Sequence, residues 1–107
     1  MRFLNSKLKI ENTILQNIAK KYGTPAYCYS YKQLRENIND FKKNFKSISP
    51  LICFAIKSNT NLNLIKEIKK FGLGADVVSM GELMLALKAG ISPKTVSYTH
   101  LRAHETV

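Results

Sequence analysis

Long apolar runs are absent from this sequence. No stretch reaches the length of about 18 apolar residues that predicts a membrane-spanning helix. The first residues, Met1 to Lys7, also lack the apolar core and the small-residue cleavage site of a secretory signal. We therefore expect a cytoplasmic protein that has no membrane partner.

Acidic residues are scarce as well. Asp and Glu total 7 against 17 Lys and Arg, which gives a net charge of +10. Such an excess can indicate nucleic-acid binding. Here, however, the basic residues fall mostly on the polar faces of predicted helices, without interleaved aromatic residues and without a known binding motif. A solvated, lysine-rich surface explains them, so we expect no nucleic-acid partner.

Cysteine is rare too. Cys28 and Cys53 both lie within strand-like apolar runs, and no further metal-binding residues surround either of them in the sequence. We expect two buried, reduced thiols, and neither a disulfide nor a metal site.

The sequence does contain a regular alternation of helix and strand patterns. Apolar residues at helical spacing predict helices at 11–22, 32–45, 60–71 and 81–89, and apolar runs predict strands at 25–30, 51–56 and 75–79. This order predicts an α/β fold with a parallel sheet. The pattern leaves open whether the sheet is a (β/α) barrel or an open, doubly wound sheet.

Residues 96–107 follow neither the helical nor the strand period. Their amino-acid sequence resembles the translation of one reading frame of a transposase-type sequencing adapter. We therefore interpret these residues as a non-native tail and leave them out of the fold prediction. His100 and His104, next to Glu105, have a spacing that could ligate a metal on a helix, but a foreign tail makes such a site unexpected. The remaining chain divides into a strand and helix segment (1–24) and the main α/β segment (25–95).

The first candidate functional residue is Lys57. It follows the apolar run Leu51 to Ile56, which comes after Pro50 and is typical of a strand buried on both faces. Active sites of α/β folds lie at the carboxyl ends of such strands. A desolvated lysine amine placed there can act as a nucleophile toward a carbonyl group. The alternative is structural: the aliphatic stem covers apolar surface and the amine stays in water.

Acidic and hydroxyl side chains follow on the next predicted strand and helix. Asp76 lies within the strand at 75–79, whereas Ser79 and Glu82 come at its carboxyl end, where Lys57 is also expected. A carboxylate near a lysine would hold the amine in position, and a hydroxyl could donate a hydrogen bond. Structural alternatives stay open: Asp76 as a hydrogen-bonded strand residue, and Glu82 as an acid favoured in the first helical turn.

Two motifs in these segments resemble a known family. The segments Phe54 to Asn59 and Gly72 to Leu83 are similar, in residues and in separation, to the lysine motif and the following strand of the ornithine, diaminopimelate and arginine decarboxylases. These enzymes use pyridoxal phosphate and have an alanine-racemase-like fold. The opening, Leu8 to Ile18 followed by Tyr22 to Ser30, is most similar to the members that act on diaminopimelate. Met80 departs from the pattern, since many members have glycine there.

The resemblance implies roles for the candidate residues. Lys57 is expected to bind the aldehyde of pyridoxal 5′-phosphate covalently, and Asp76 to lie close to that lysine and the cofactor. Ser79 and Glu82 are expected at the rim of the site. The implied reaction of the full-length parent converts meso-diaminopimelate to L-lysine and carbon dioxide. Ornithine or arginine decarboxylation, amino-acid racemisation and a non-catalytic regulator on the same fold stay open.

The resemblance also implies an architecture. Residues 25–95 would be part of the cofactor-binding domain, an incomplete N-terminal part of a (β/α)8 TIM barrel. A complete barrel needs about 250 residues, and this chain has 107. We therefore expect the chain to be inactive alone, and its full-length parent to be a homodimer that acts on a small-molecule amino acid.

Overall fold

The computed structural model describes residues 1–99. The chain forms two compact units, of which the first comprises Met1–Lys46 and the second begins at Ser47. The sequence analysis placed its first boundary earlier, after residue 24. None of the described helices is both long and apolar enough to cross a membrane.

The first unit opens with an antiparallel meander of three short strands, β1 (Arg2–Leu4), β2 (Lys7–Ile10) and β3 (Thr13–Ile14). Asn5 and Ser6 connect β1 to β2 with φ angles of 52° and 63°. Positive φ at both central residues is typical of a two-residue hairpin turn, and asparagine tolerates it better than most residues. The turn returns β2 alongside β1.

Two helices complete this unit, α1 (Leu15–Tyr22) and α2 (Tyr31–Asn44). α1 ends at Gly23, whose φ of 87° suits a residue without a Cβ atom. α2 begins after Ser30, whose hydroxyl accepts a hydrogen bond from the backbone N–H of Gln33 at 3.1 Å. α2 agrees with its predicted range to within one residue, whereas α1 starts later than predicted because β3 pairs with β2.

The strand predicted at 25–30 is not formed within the described residues. This segment has no strand partner there, and Tyr27 within it is 91% exposed. Residues that favour β-structure form a strand only where a neighbouring backbone completes the hydrogen-bond ladder. The prediction is wrong for this chain because a local pattern cannot supply that neighbour.

The second unit is a parallel sheet in the order β4 (Cys53–Ala55), β5 (Gly74–Val77) and β6 (Val96–Tyr98). α3 (Leu62–Lys70) connects β4 to β5, and α4 (Met80–Lys88) connects β5 to β6. Strands that alternate with helices in this way confirm the α/β prediction.

The core of the second unit lies on one face of this sheet. Ala75 and Val77 are buried, and they alternate along β5 with Asp76, which therefore lies on the opposite face. Both helices contribute to the core, through Ile65 of α3 and Ala86 of α4. The buried residues of this cluster are Ile56, Ile65, Ala75, Val77, Ala86, Ala89 and Ile91.

β6 corrects part of the sequence analysis. Val96–Tyr98 belongs to the segment that we left out of the fold, yet it pairs with β5, and the backbone N–H of Thr99 continues the pairing by donating to the carbonyl of Val77 at 3.0 Å. A sheet edge pairs through backbone groups, so a short non-periodic segment can join it. The foreign origin of 96–107 stays a prediction, and both histidines and Glu105 lie outside the described residues.

Candidate functional site

The candidate site lies at the carboxyl edge of the parallel sheet. Ala55, Asp76 and Ser97 are neighbours in register on β4, β5 and β6. Lys57 comes two residues after Ala55, on a single turn of 3₁₀-helix at Ile56–Ser58 that we call the lysine turn. The chain direction therefore brings Lys57 to the edge of the sheet at which β5 also ends, as the strand pattern predicted.

The lysine turn is held to the protein on both sides of Lys57. Before it, Ile56 is 0% exposed and forms part of the core. After it, the hydroxyl of Ser58 donates to the carbonyl oxygen of Ala55 at 2.7 Å, and the backbone N–H of Asn59 donates to the carbonyl of Ile56 at 3.0 Å. These contacts fix the backbone at Lys57.

The Lys57 side chain itself is exposed. Of the two environments left open for Lys57, the exposed side chain agrees with the structural alternative, in which the amine stays in water, and not with an amine desolvated against the core. The core covers the face of the sheet that carries Ala75 and Val77, whereas Lys57 lies beyond the end of β4 and is not part of that core. Within residues 1–99, Lys57 also makes no ion pair with Asp76.

Asp76 lies on the face of the sheet opposite the core of Ala75 and Val77, and it is half-buried. One of its carboxylate oxygens, Oδ1, accepts a hydrogen bond from the hydroxyl of Thr99 at 2.7 Å. The structural alternative for this residue, a hydrogen-bonded strand aspartate, therefore describes its present contact. Its place in the same row as Ala55 still puts the carboxylate beside the strand end that leads to Lys57.

Ser79 and Glu82 are occupied in starting α4. The hydroxyl of Ser79 accepts a hydrogen bond from the backbone N–H of Glu82 at 3.1 Å. The carboxylate of Glu82 accepts one from the backbone N–H of Val78 at 3.0 Å. This arrangement is a variant of the capping box, in which serine and glutamate satisfy unpaired N–H groups at a helix start. The structure places both residues at the expected edge and gives both a local contact.

The sequence analysis missed Cys53 as a neighbour of this site. Cys53 lies on the same face of β4 as Ala55 and is in register with Gly74, two residues before Asp76 on β5. Burial raises the pKa of its thiol, and the negative charge of Asp76 raises it further. Its Sγ donates to the carbonyl of Thr95 at 3.7 Å.

Gly74 permits this close packing. A Cβ atom there would overlap the carbonyl oxygen of Thr95 and lie 3.1 Å from Sγ of Cys53. The row that contains Gly74 therefore has no room for a side chain at this position. Among residues 1–99, no group of three or more His, Cys, Asp or Glu side chains is placed to hold a metal ion.

Comparison with protein families matches residues 31–105 to the pyridoxal-binding domain of the pyridoxal-dependent decarboxylases. The matched range extends into the segment that we interpreted as non-native. Among curated proteins, the diaminopimelate decarboxylase of Aquifex aeolicus is 41% identical over 98 residues, which are 92% of this chain and 23% of that protein. The diaminopimelate decarboxylase of Helicobacter pylori strain J99 is 37% identical over 84 residues, which are 78% of this chain and 21% of that protein.

Solved structures show the same relationship. A crystal structure of a protein from Aquifex aeolicus matches with a TM-score of 0.88 at 40% identity, and covers 94% of this chain and 24% of that chain. Diaminopimelate decarboxylase from M. jannaschii, solved in complex with L-lysine, matches with a TM-score of 0.83 at 31% identity. This match covers 88% of this chain and 23% of that chain. The chain thus spans about a quarter of the length of these relatives, and the resemblance found in its motifs is confirmed.

Proposed function

We propose that this chain, which belongs to the pyridoxal-dependent decarboxylase family, is an N-terminal piece of a diaminopimelate decarboxylase. The longer protein would convert meso-diaminopimelate to L-lysine with release of carbon dioxide, and would depend on pyridoxal 5′-phosphate. One observation carries the proposal: Lys57 follows a parallel strand at the edge where Asp76 and the start of α4 also lie. The names of the relatives favour diaminopimelate over ornithine and arginine.

The residues of the site fit this cofactor. A primary amine is the group that condenses with an aldehyde, and Lys57 presents an exposed amine on a fixed backbone. Asp76 adds a carboxylate in the row of Ala55, at the end of β4 that leads to Lys57, where its charge can attract a cationic group. No step here needs a metal, and the site requires only one free amine from the described chain.

Pyridoxal phosphate, when bound, supplies a conjugated ring that accepts the electron pair left as carbon dioxide departs. The residues of this chain would hold the cofactor and orient it. Lys57 would bind the aldehyde of the cofactor, and the lysine turn keeps Lys57 at the edge of the sheet. Asp76 is held by Thr99 and provides negative charge at the ends of the strands. Ser79 and Glu82 form the start of α4 at the rim of the site.

The other parts of the enzyme belong to the longer protein. A complete (β/α)8 barrel needs about 250 residues, so the chain supplies less than half of one, and we expect it to be inactive alone. The family resemblance supports a homodimer in the cytoplasm that acts on a small-molecule amino acid. Sedimentation of the longer protein tests the dimer, and release of carbon dioxide from diaminopimelate, ornithine or arginine tests the substrate.

Covalent labelling tests the role of Lys57. The longer protein is incubated with pyridoxal phosphate, reduced with borohydride and mapped by mass spectrometry. We expect the reduced adduct on Lys57 and its loss in Lys57→Ala. Lys94→Ala is the matched control, because Lys94 is also an exposed lysine at the centre of a 3₁₀ turn (Pro93–Thr95), but that turn precedes a strand. An adduct that persists undiminished in Lys57→Ala would overturn the assignment.

A further inference from the structure

Asn59 connects the lysine turn to the helix that follows it. Its backbone N–H donates to the carbonyl of Ile56 at 3.0 Å, which closes the turn. Its side-chain oxygen Oδ1 accepts a hydrogen bond from the backbone N–H of Asn61, also at 3.0 Å. The same residue therefore bonds backward across Lys57 and forward to the start of α3.

The forward contact ends on a firmly placed element. Asn61 caps α3, since its side chain accepts hydrogen bonds from the backbone N–H groups of Asn63 at 2.9 Å and Leu64 at 3.3 Å. α3 in turn places Ile65 and Ile68 in buried positions, at 0% and 1% exposure. Asn59 thus ties the end of the lysine turn to a helix that is packed against the protein interior.

We propose that Asn59 is the positioning residue of Lys57, fixing the direction from which the lysine amine approaches its carbonyl partner. The inference rests on the proposed function of Lys57. Lys57 has no other described contact that orients its exposed side chain, so the geometry of its backbone decides where the amine can reach. A turn that samples several geometries presents the reactive one for only part of the time, and the rate of covalent capture falls in proportion.

The test measures how fast the longer protein, freed of cofactor, forms the borohydride-reducible adduct after pyridoxal phosphate is added. Asn59→Ala removes the forward hydrogen bond, and we expect capture at Lys57 to slow about fivefold, the effect of losing one ordinary hydrogen bond. Asn59→Asp keeps an acceptor oxygen at this position and should restore most of the rate. In the protein without cofactor, the amide hydrogens at positions 58 and 59 should exchange faster in Asn59→Ala than in the parent, and not in Asn59→Asp.

Two controls separate positioning from loss of structure. Ser92→Ala removes an equivalent bond, in which the side chain of Ser92 accepts from the backbone N–H two residues later, at 3.3 Å, on the opposite edge of the sheet. Asn61→Ala weakens the cap of α3 without removing an acceptor from the lysine turn. Both should leave the capture rate within about twofold of the parent.

Each outcome decides the matter. Capture by Asn59→Ala at the parent's rate, with the adduct on Lys57 in both proteins, overturns the positioning role while leaving the proposed function intact. An equal slowing in Asn61→Ala also overturns it, because a general loosening of α3 would then explain the effect. Absence of any adduct on Lys57 in the parent protein contradicts the proposed function instead.

Discussion

The carboxylate of Glu82 accepts a hydrogen bond from the backbone N–H of Val78 at 3.0 Å, so an acid expected at the rim of the site also holds the strand end against α4. We expect Glu82→Ala to weaken the start of α4 by about 1 kcal/mol, the ordinary cost of losing a cap. Hydrogen exchange at Val78 and in the first turn of α4 should accelerate about fivefold.

Glu82→Gln separates the two roles of Glu82. Glutamine keeps an acceptor oxygen and loses only the charge, so exchange at Val78 should stay near that of the parent protein. A decline in decarboxylation by Glu82→Gln without faster exchange would assign the charge to the chemistry. Faster exchange without a decline in activity would make Glu82 a structural residue.

Gly74 is predicted to tolerate no side chain. In Gly74→Ala the new Cβ would overlap the carbonyl oxygen of Thr95 and crowd Sγ of Cys53, which forces β5 and the end of the 3₁₀ turn at Pro93–Thr95 apart. We expect a loss of about 1–3 kcal/mol, the usual cost of overpacking. The midpoint of thermal unfolding of the longer protein measures it.

Gly81→Ala is the matched substitution. Gly81 lies in the first turn of α4, and the nearest atom to a Cβ there is Oγ of Ser79 at 3.9 Å. Alanine has open space and lowers the entropy of the unfolded chain, so we expect an unchanged or higher unfolding midpoint. A similar loss in both variants would show that the contacts of Gly74 are not the cause.

The two cysteines should react with alkylating reagents at different rates. Cys28 is exposed, whereas Cys53 is half-buried and its pKa is raised by burial and then by Asp76. A raised pKa leaves less thiolate at any given pH, so iodoacetamide should label Cys28 first. Peptide mapping after timed alkylation measures both rates, and equal rates would contradict the described burial.

Asp76→Asn should accelerate the alkylation of Cys53. Removing the negative charge takes away the smaller cause of the raised pKa and leaves burial in place. The pH at which Cys53 reacts should therefore fall only part of the way toward the ordinary range. The rate at Cys28 is the internal control and should not change.

Asn61→Ala should loosen α3, because the side chain of Asn61 accepts hydrogen bonds from the N–H groups of Asn63 and Leu64. We expect a cost of about 1 kcal/mol, and much less for Asn61→Ser, which keeps an acceptor at the N-cap. Exchange of the amide hydrogens of Asn63 and Leu64 measures the effect. Equal exchange in the alanine and serine variants would show that the cap does not depend on the acceptor.

Local patterns predicted well where a residue's neighbours in the sequence are also its partners in space. The helix predicted at 32–45 forms as α2, and its apolar stripe depends on residues three and four positions apart. The pair of motifs around Lys57 and Asp76 indicates the family from residue types and spacing alone.

Local patterns failed where the partner is distant in the chain. Residues 25–30 have the composition of a strand and pair with no described neighbour, whereas Val96–Tyr98, without any period, is a strand because β5 offers its edge. Cys53 looked like an inert buried thiol because its proximity to Asp76 depends on the register between β4 and β5.

The sequence by itself therefore determined the four helices, the strands β4 and β5, the family and the identity of the candidate lysine, since these depend on residue type and spacing. Only the tertiary structure decided which side chains face each other. In the structure, Lys57 is exposed on a hydrogen-bonded turn, and Asp76 accepts a hydrogen bond from Thr99. Ser79 and Glu82 accept hydrogen bonds from backbone N–H groups at the start of α4. The physical reason is that strand register and helix packing bring together residues far apart in the chain, and no local pattern encodes those contacts.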